Sequence, residues 1–295
     1  MSKLVNHGLL INDLNHGTLK FGLVELISSR QSFLWSDFPN ITSEQRELIK
    51  RFEKLSYWQC AKKCNDTAHK LNQALYKLGN CLLIAENEDA YAYDGAPLEK
   101  ASVYFEAMND IPYHLDAFIS YLKILADCIA FAIPFFYQTS KSIANNGFRG
   151  QKKWFSVYPN FDPEYTKILN EQTRWFDLLA GKGTNGNSEK GIRDVNFHNF
   201  GTYQIGQSVF QDGRHEIFVS QITSKGIIHN DVLSTLEELV EDFFYYLDRV
   251  YELFTQRFCK EIPQYDWLSP SKSVMMNIEM SNVQQKYRLY PIIKP

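Results

Sequence analysis

The sequence predicts a mainly α protein: an up-down helical bundle, with a β-hairpin inserted before its last helix and short strand-like segments at both termini. Three observations carry this expectation. Apolar residues recur at three-and-four spacing over long stretches, the period of helices with one buried face. Around Asp212-Gly213 the spacing changes to alternation (SVFQDGRHEIFVSQI), the period of a hairpin. A chain of 295 residues with 44% apolar content is also large enough to bury a full core.

The elements follow in order. Residues 1 to about 40 mix Gly, Asn and short apolar runs such as LKFGLVELI, and read as strand-like. From Ser43 the pattern is helical. Leu48, Phe52 and Leu55 begin a stripe that Cys64, Ala68, Leu71, Leu75, Leu78 and Leu82 continue, with Asn65-Asp66 as a candidate break. NEDAYAYDGAP is turn-rich, and a shorter helix starts at Pro97. Asn109-Asp110 caps a helix with Pro112 in its first turn, running to about Gln138. NNGFRGQKKWFSVYPN reads as a loop. Asp162-Pro163-Glu164 places a cap, a proline and an acid in order, and opens a helix carrying Tyr165, Ile168, Leu169, Phe176 and Leu179 that stops at Gly181. A polar loop, GKGTNGNSEKG, leads to a short helix holding Arg193 and His198 and ending near Gly201. After the hairpin, a long helix starts at Asn230-Asp231 with Leu233, Leu236, Val240, Phe243, Leu247, Val250 and Phe254 as its buried stripe. SVMMNIEM and KYRLYPII in the tail read as two short strands. The expected division is an N-terminal region over 1–110, a bundle over 111–262 with the hairpin near 207–222, and a tail over 263–295.

Composition narrows the function classes. A net charge of -3 gives the whole chain no electrostatic pull toward nucleic acid, so any polyanion must be held by a local basic patch. Five cysteines are an odd number without framework spacing. Cys60 and Cys64 lie one helical turn apart with no second pair to complete a zinc site, so buried thiols in a reducing cytosol are expected, with no metal and no cofactor. The N-terminus has no signal-peptide pattern. The most apolar stretch, Phe118 to Phe136, approaches membrane-spanning length, but Lys123 and Asp127 interrupt it, and a core helix explains it better. The expectation is a soluble cytoplasmic protein.

One constellation can carry chemistry. Arg193 is followed by Asp194 and, after three more residues, by His198. A guanidinium is permanently cationic and planar, so it can grip two phosphate oxygens and stabilise charge on a five-coordinate phosphorus. An imidazole moves a proton near neutral pH, as attack by a neighbouring 2′-hydroxyl requires. Asp194 and His198 are four apart, hence on one helical face, where the carboxylate can orient the ring. Arg193 lies about 140° around an ideal helix from His198, with about 7.5 Å of rise between them. A second copy across a twofold axis can offset that separation.

This pattern, R-D-V-N-F-H, resembles the motif of HEPN-domain ribonucleases, in which an Arg is followed by a polar residue, a few more residues and a His. The resemblance covers roughly half the chain, residues 112 to 260. It implies a metal-independent endoribonuclease that acts as a homodimer, as a toxin or in antiviral defence, with a neutralising or regulatory protein partner. It also implies that Arg193 contacts the scissile phosphate, His198 serves as acid or base, and Asp194 takes the polar supporting role. An Arg five to seven residues before a His is expected about 0.7 times by chance in this composition, so the weight rests on the helix, the preceding loop and the bundle. The hairpin and the long N-terminal half have no counterpart in the minimal domain. Two rivals stand beside this reading: a non-catalytic RNA-binding or protein-interaction scaffold on the same fold, and an unrelated helical protein with a coincidental motif.

Arg149, Lys152, Lys153 and Trp154 set bases beside an aromatic ring, as an RNA contact would, although a solvated loop with one packed Trp is the commoner meaning. Gly181-Lys182-Gly183-Thr184 lacks the earlier glycine of a phosphate loop, since Phe176 stands there, and is rejected. His215 and His229 have no third ligand at metal spacing and read as surface or capping residues. Lys123 and Asp127, one turn apart, are expected to be a buried pair or to face a polar pocket.

Overall fold

The computed structural model describes residues 55–87, 98–136, 147–181, 190–199, 201–211 and 215–261, together with Leu23, Val24, Ile27 and Ile143. The helices are α1 (Leu55–Asn87), α2 (Leu98–Ala132), α3 (Phe148–Val157), α4 (Pro163–Glu171), α5 (Arg174–Ala180), α6 (Ile192–Asn199) and α7 (Val232–Glu261). Between α6 and α7 lie β1 (Thr202–Val209), β2 (His215–Thr223) and β3 (Gly226–His229), an antiparallel sheet in that order. The mainly helical class and the hairpin agree with the sequence; β3 extends the hairpin by one strand. No helix among the described residues is long and apolar enough to cross a membrane.

α1 and α2 are longer than expected. Asn65-Asp66 does not break α1, because Ala61, Cys64, Ala68, Leu71, Leu75, Leu78, Leu82 and Ala85 form one uninterrupted buried stripe. Nor does a helix begin at Asn109-Asp110: α2 starts at Leu98 and carries Pro112 in its interior. A proline there removes one backbone bond and crowds the carbonyl four residues earlier, typically at about 3 kcal/mol. The stripe of Tyr104, Ala107, Ile111, Leu115, Phe118 and Leu122 is buried on both sides of it, and tertiary burial overrides the local penalty. α2 ends at Ala132, ahead of a 3-10 turn over Ile133–Phe136.

The segment read as a loop is α3. Its buried face is Phe148, Gln151 and Phe155, and the polar Gln151 disguises the period. Asp162 caps α4 as expected, accepting from the Tyr165 N–H at 2.9 Å. The helix it opens stops at Glu171 instead of Gly181. Thr173, at φ -124° and ψ 24°, leaves helical geometry, and α5 starts afresh. Asp231 begins α7 by accepting from the Ser234 N–H at 2.9 Å, and the anticipated stripe from Leu233 to Phe254 is buried throughout. Leu23, Val24 and Ile27 are helical and buried, which corrects the strand expected there: their spacing suits one helical face. The tail strands and the rest of the N-terminal segment lie outside the described residues.

The chain forms two compact units, each assembled from separate stretches. The first takes its described residues from 69–123 and 173–243, the second from 20–68, 124–172 and 244–261. In the first unit, Trp175 meets Phe243 edge-on at 4.8 Å. β2 turns Ile217, Val219 and Gln221 inward, with Glu216 and Phe218 outward. Gly206 stands opposite Phe218, where any Cβ would collide with the ring. In the second unit, Tyr165 packs edge-on against Phe155 and Phe254, and its hydroxyl donates to Gln151 Oε1 at 2.8 Å. Gln151 in turn donates to the Ala130 carbonyl at 2.8 Å, so this buried amide is satisfied at both ends.

Candidate functional site

α6 is short, and its neighbours fix its position. Gly181 ends α5 at φ 73°, a left-handed conformation that suits glycine, with its N–H bonded to the Asp177 carbonyl at 2.8 Å. Gly191 opens α6 against that same terminus: a Cβ on it would strike the backbone of Leu179, Ala180 and Gly181. Residues 182–189, the polar loop, lie outside the described residues. Ile192 and Val195 then bury the inner face of α6.

Three side chains secure that face within the first unit. Asn196 donates to Asp116 of α2 at 2.7 Å. The Tyr203 hydroxyl on β1 donates to the same carboxylate oxygen at 3.1 Å. Gln221 on β2, fully buried, donates to the Ile192 carbonyl at 2.9 Å and to Asn196 Oδ1. β2 and β3 slip register between Gln221 and Ile222, a bulge beside the residue that reaches α6. Burial, and then the Asp116 carboxylate, push the Tyr203 phenol well above its usual range, so it remains a hydrogen-bond donor. His229 on β3 meets the Lys190 carbonyl through Nε2 at 3.2 Å, and burial lowers its pKa.

On this anchored helix Arg193 and Asp194 form an ion pair at 3.3 Å, with side chains 28% and 29% exposed. Asp194 also lies in the first turn, where a negative charge complements the helix dipole. His198 belongs to α6 by its backbone, one turn after Asp194; its side chain lies outside the described residues.

The RNA-contact candidates lie on α3 in the second unit, whereas Arg193 belongs to the first. Arg149 and Lys153 are exposed and Lys152 is half-buried. Trp154 packs on Phe155, Tyr158 and Phe161 at 4.9–5.1 Å between ring centroids, so its half-buried ring is part of a local aromatic cluster. The packed Trp is the commoner of the two meanings weighed above, and the segment that carries it is a helix instead of a loop. Lys123 and Asp127 are both half-buried rather than buried. The Lys123 ammonium sits 5.7 Å from the Phe176 ring centre, and Asp127 accepts from the Phe148 N–H at 2.9 Å, holding the start of α3.

In two cysteine groupings the structure adds partners that the sequence reading lacked. Cys60, Cys64 and Cys128 form a thiol cluster in the second unit. Hydrogen bonding with Cys128 and Cys60 raises the Cys64 thiol, and the Cys64 contact lowers that of Cys128. In the first unit, Cys81 of α1 and Asp110 and His114 of α2 bring one donor atom each to within 4.8 Å of one another. Burial pushes the Cys81 thiol up to about 11, and burial lowers the His114 imidazole. The four-residue spacing of Asp110 and His114 was the available signal. Asp116, Asn196, Tyr203 and Gln221 gave none, being polar residues scattered over four elements.

No family model, curated protein or solved structure matches the chain.

Proposed function

We propose that the protein is a metal-independent endoribonuclease of the HEPN type, acting as a homodimer. The observation that carries this reading is the placement of Arg193 and Asp194, paired and half-exposed, on a helix that Asn196 fastens to Asp116. Catalytic groups need supporting shells of this kind, because small misplacements cost rate.

In this scheme His198 removes the proton from an RNA 2′-hydroxyl. The freed oxygen attacks the adjacent phosphorus, and the bond to the 5′-oxygen breaks. That oxygen leaves with a proton from the partner subunit's His198, giving a 2′,3′-cyclic phosphate and a 5′-hydroxyl. Arg193 stabilises the charge gathered on the phosphoryl oxygens. Asp194 orients the ring one turn ahead of it. Product analysis tests this chemistry: RNA gives cyclic phosphate ends, and the same sequence methylated at its 2′-oxygens is not cut. Cleavage of the methylated strand would overturn it.

A non-catalytic RNA-binding or interaction scaffold is the second reading. The observation favouring it is that the Arg193 guanidinium already has a carboxylate partner in Asp194, as a purely structural ion pair would.

A further inference from the structure

We propose that Cys81, Asp110 and His114 form a binding site for a divalent cation of the zinc class, joining α1 to α2 within the first unit. Three donors of three kinds converge there, a thiol, a carboxylate and an imidazole, with their ligand atoms all within 4.8 Å. The donors of a tetrahedral zinc centre stand about 3.3–3.6 Å apart, as its bond lengths require, so closure needs movements of about an ångström. Asp110 and His114 are one turn apart on α2, hence on one face, and α1 supplies the third donor.

The donor set selects the ion. Sulfur and imidazole nitrogen exclude magnesium and calcium, which take oxygen ligands, and favour zinc among the abundant divalent metals. Burial orders the site: Cys81 and His114 are each 8% exposed, while Asp110 is exposed. An ion would therefore be gripped from the interior and keep a fourth position toward water. The His114 ring stands edge-on to Tyr113 at 5.4 Å, which limits its rotation. Lys77, one turn before Cys81 on α1, is the opposing charge. Two ligands that are anionic when bound outweigh it.

Cobalt(II) titration of the chelator-treated full-length protein tests the proposal. The expected result is one cobalt per chain, with a thiolate-to-metal band in the near ultraviolet, intense visible bands of four-coordinate geometry, and displacement of cobalt by zinc. Cys81→Ser abolishes the thiolate band, Cys64→Ser retains it, and His114→Gln weakens binding by about tenfold or more. Absence of the thiolate band in the wild type, its survival in Cys81→Ser, or unchanged affinity in His114→Gln would each overturn the proposal. Should Cys81→Ser fail to fold, the wild-type spectrum and His114→Gln still decide. None of these readouts involves RNA cleavage.

Discussion

Asn196 of α6 donates to Asp116 of α2 at 2.7 Å, although the two residues stand 80 apart in the chain. This bond and its neighbours make the candidate site part of the fold of the first unit. Asn196→Ala removes the donor to Asp116 and the acceptor for Gln221, whose amide is fully buried. The expected loss is about 1–3 kcal/mol of stability, from two lost hydrogen bonds at about 0.5–1.5 kcal/mol each. Urea denaturation measures it, and an unchanged midpoint would mean that water replaces the network without cost.

Gly191 makes the second prediction. Its close approach to the end of α5 leaves no room for a methyl group, and the obstacles are backbone atoms that cannot rotate away. Gly191→Ala should cost about 1–3 kcal/mol, as overpacking does, and should displace α6. Under the proposed function it also lowers RNA cleavage without touching a reacting group. Wild-type stability in this variant would contradict the packing described.

Asp127→Ala tests the role of that residue at the start of α3. A buried ion pair broken on one side would cost about 3–5 kcal/mol. A half-buried carboxylate that caps the start of α3 should cost about 0.5–2 kcal/mol instead. Thermal or urea unfolding separates the two ranges.

The fourth prediction concerns pH. Burial lowers the pKa of His229 below the ordinary imidazole value, and that of His114 in the same direction. The unfolded chain therefore binds these protons more readily than the folded one. Stability from this source is complete above the unfolded value and is lost as pH falls through the lowered folded values. Unfolding midpoints at about pH 7.5 and about pH 5.5, on either side of the ordinary imidazole range, should show the decline, and His229→Gln should make it shallower. An identical slope in that variant would remove His229 from the explanation.

The parts of the fold legible in the sequence were those where one local signal met no competitor. The α7 stripe, the Asp162 cap and the alternation around the hairpin all fall in this group. The readings that failed weighed a local breaker against distant burial. Pro112 and Asn65-Asp66 argue for breaks, yet each sits on a helix whose apolar face continues past it. α3 was hidden because Gln151 occupies its buried face and is satisfied by the Ala130 carbonyl and the Tyr165 hydroxyl, partners that no local pattern reveals. At the site, Arg193, Asp194 and His198 were visible as a motif. Their supports were not, since Asp116, Tyr203 and Gln221 meet α6 only through tertiary structure.

The claim that Arg193 and His198 form a ribonuclease centre is tested most directly by RNA cleavage in the presence of EDTA. Wild-type protein, His198→Ala and Arg193→Ala are compared at equal concentration, with circular dichroism to verify that each is folded. The account predicts EDTA-resistant cleavage by the wild type and a loss of about 100-fold or more in His198→Ala, the contribution expected of a positioned acid–base group. Equal cleavage by wild type and His198→Ala would contradict it.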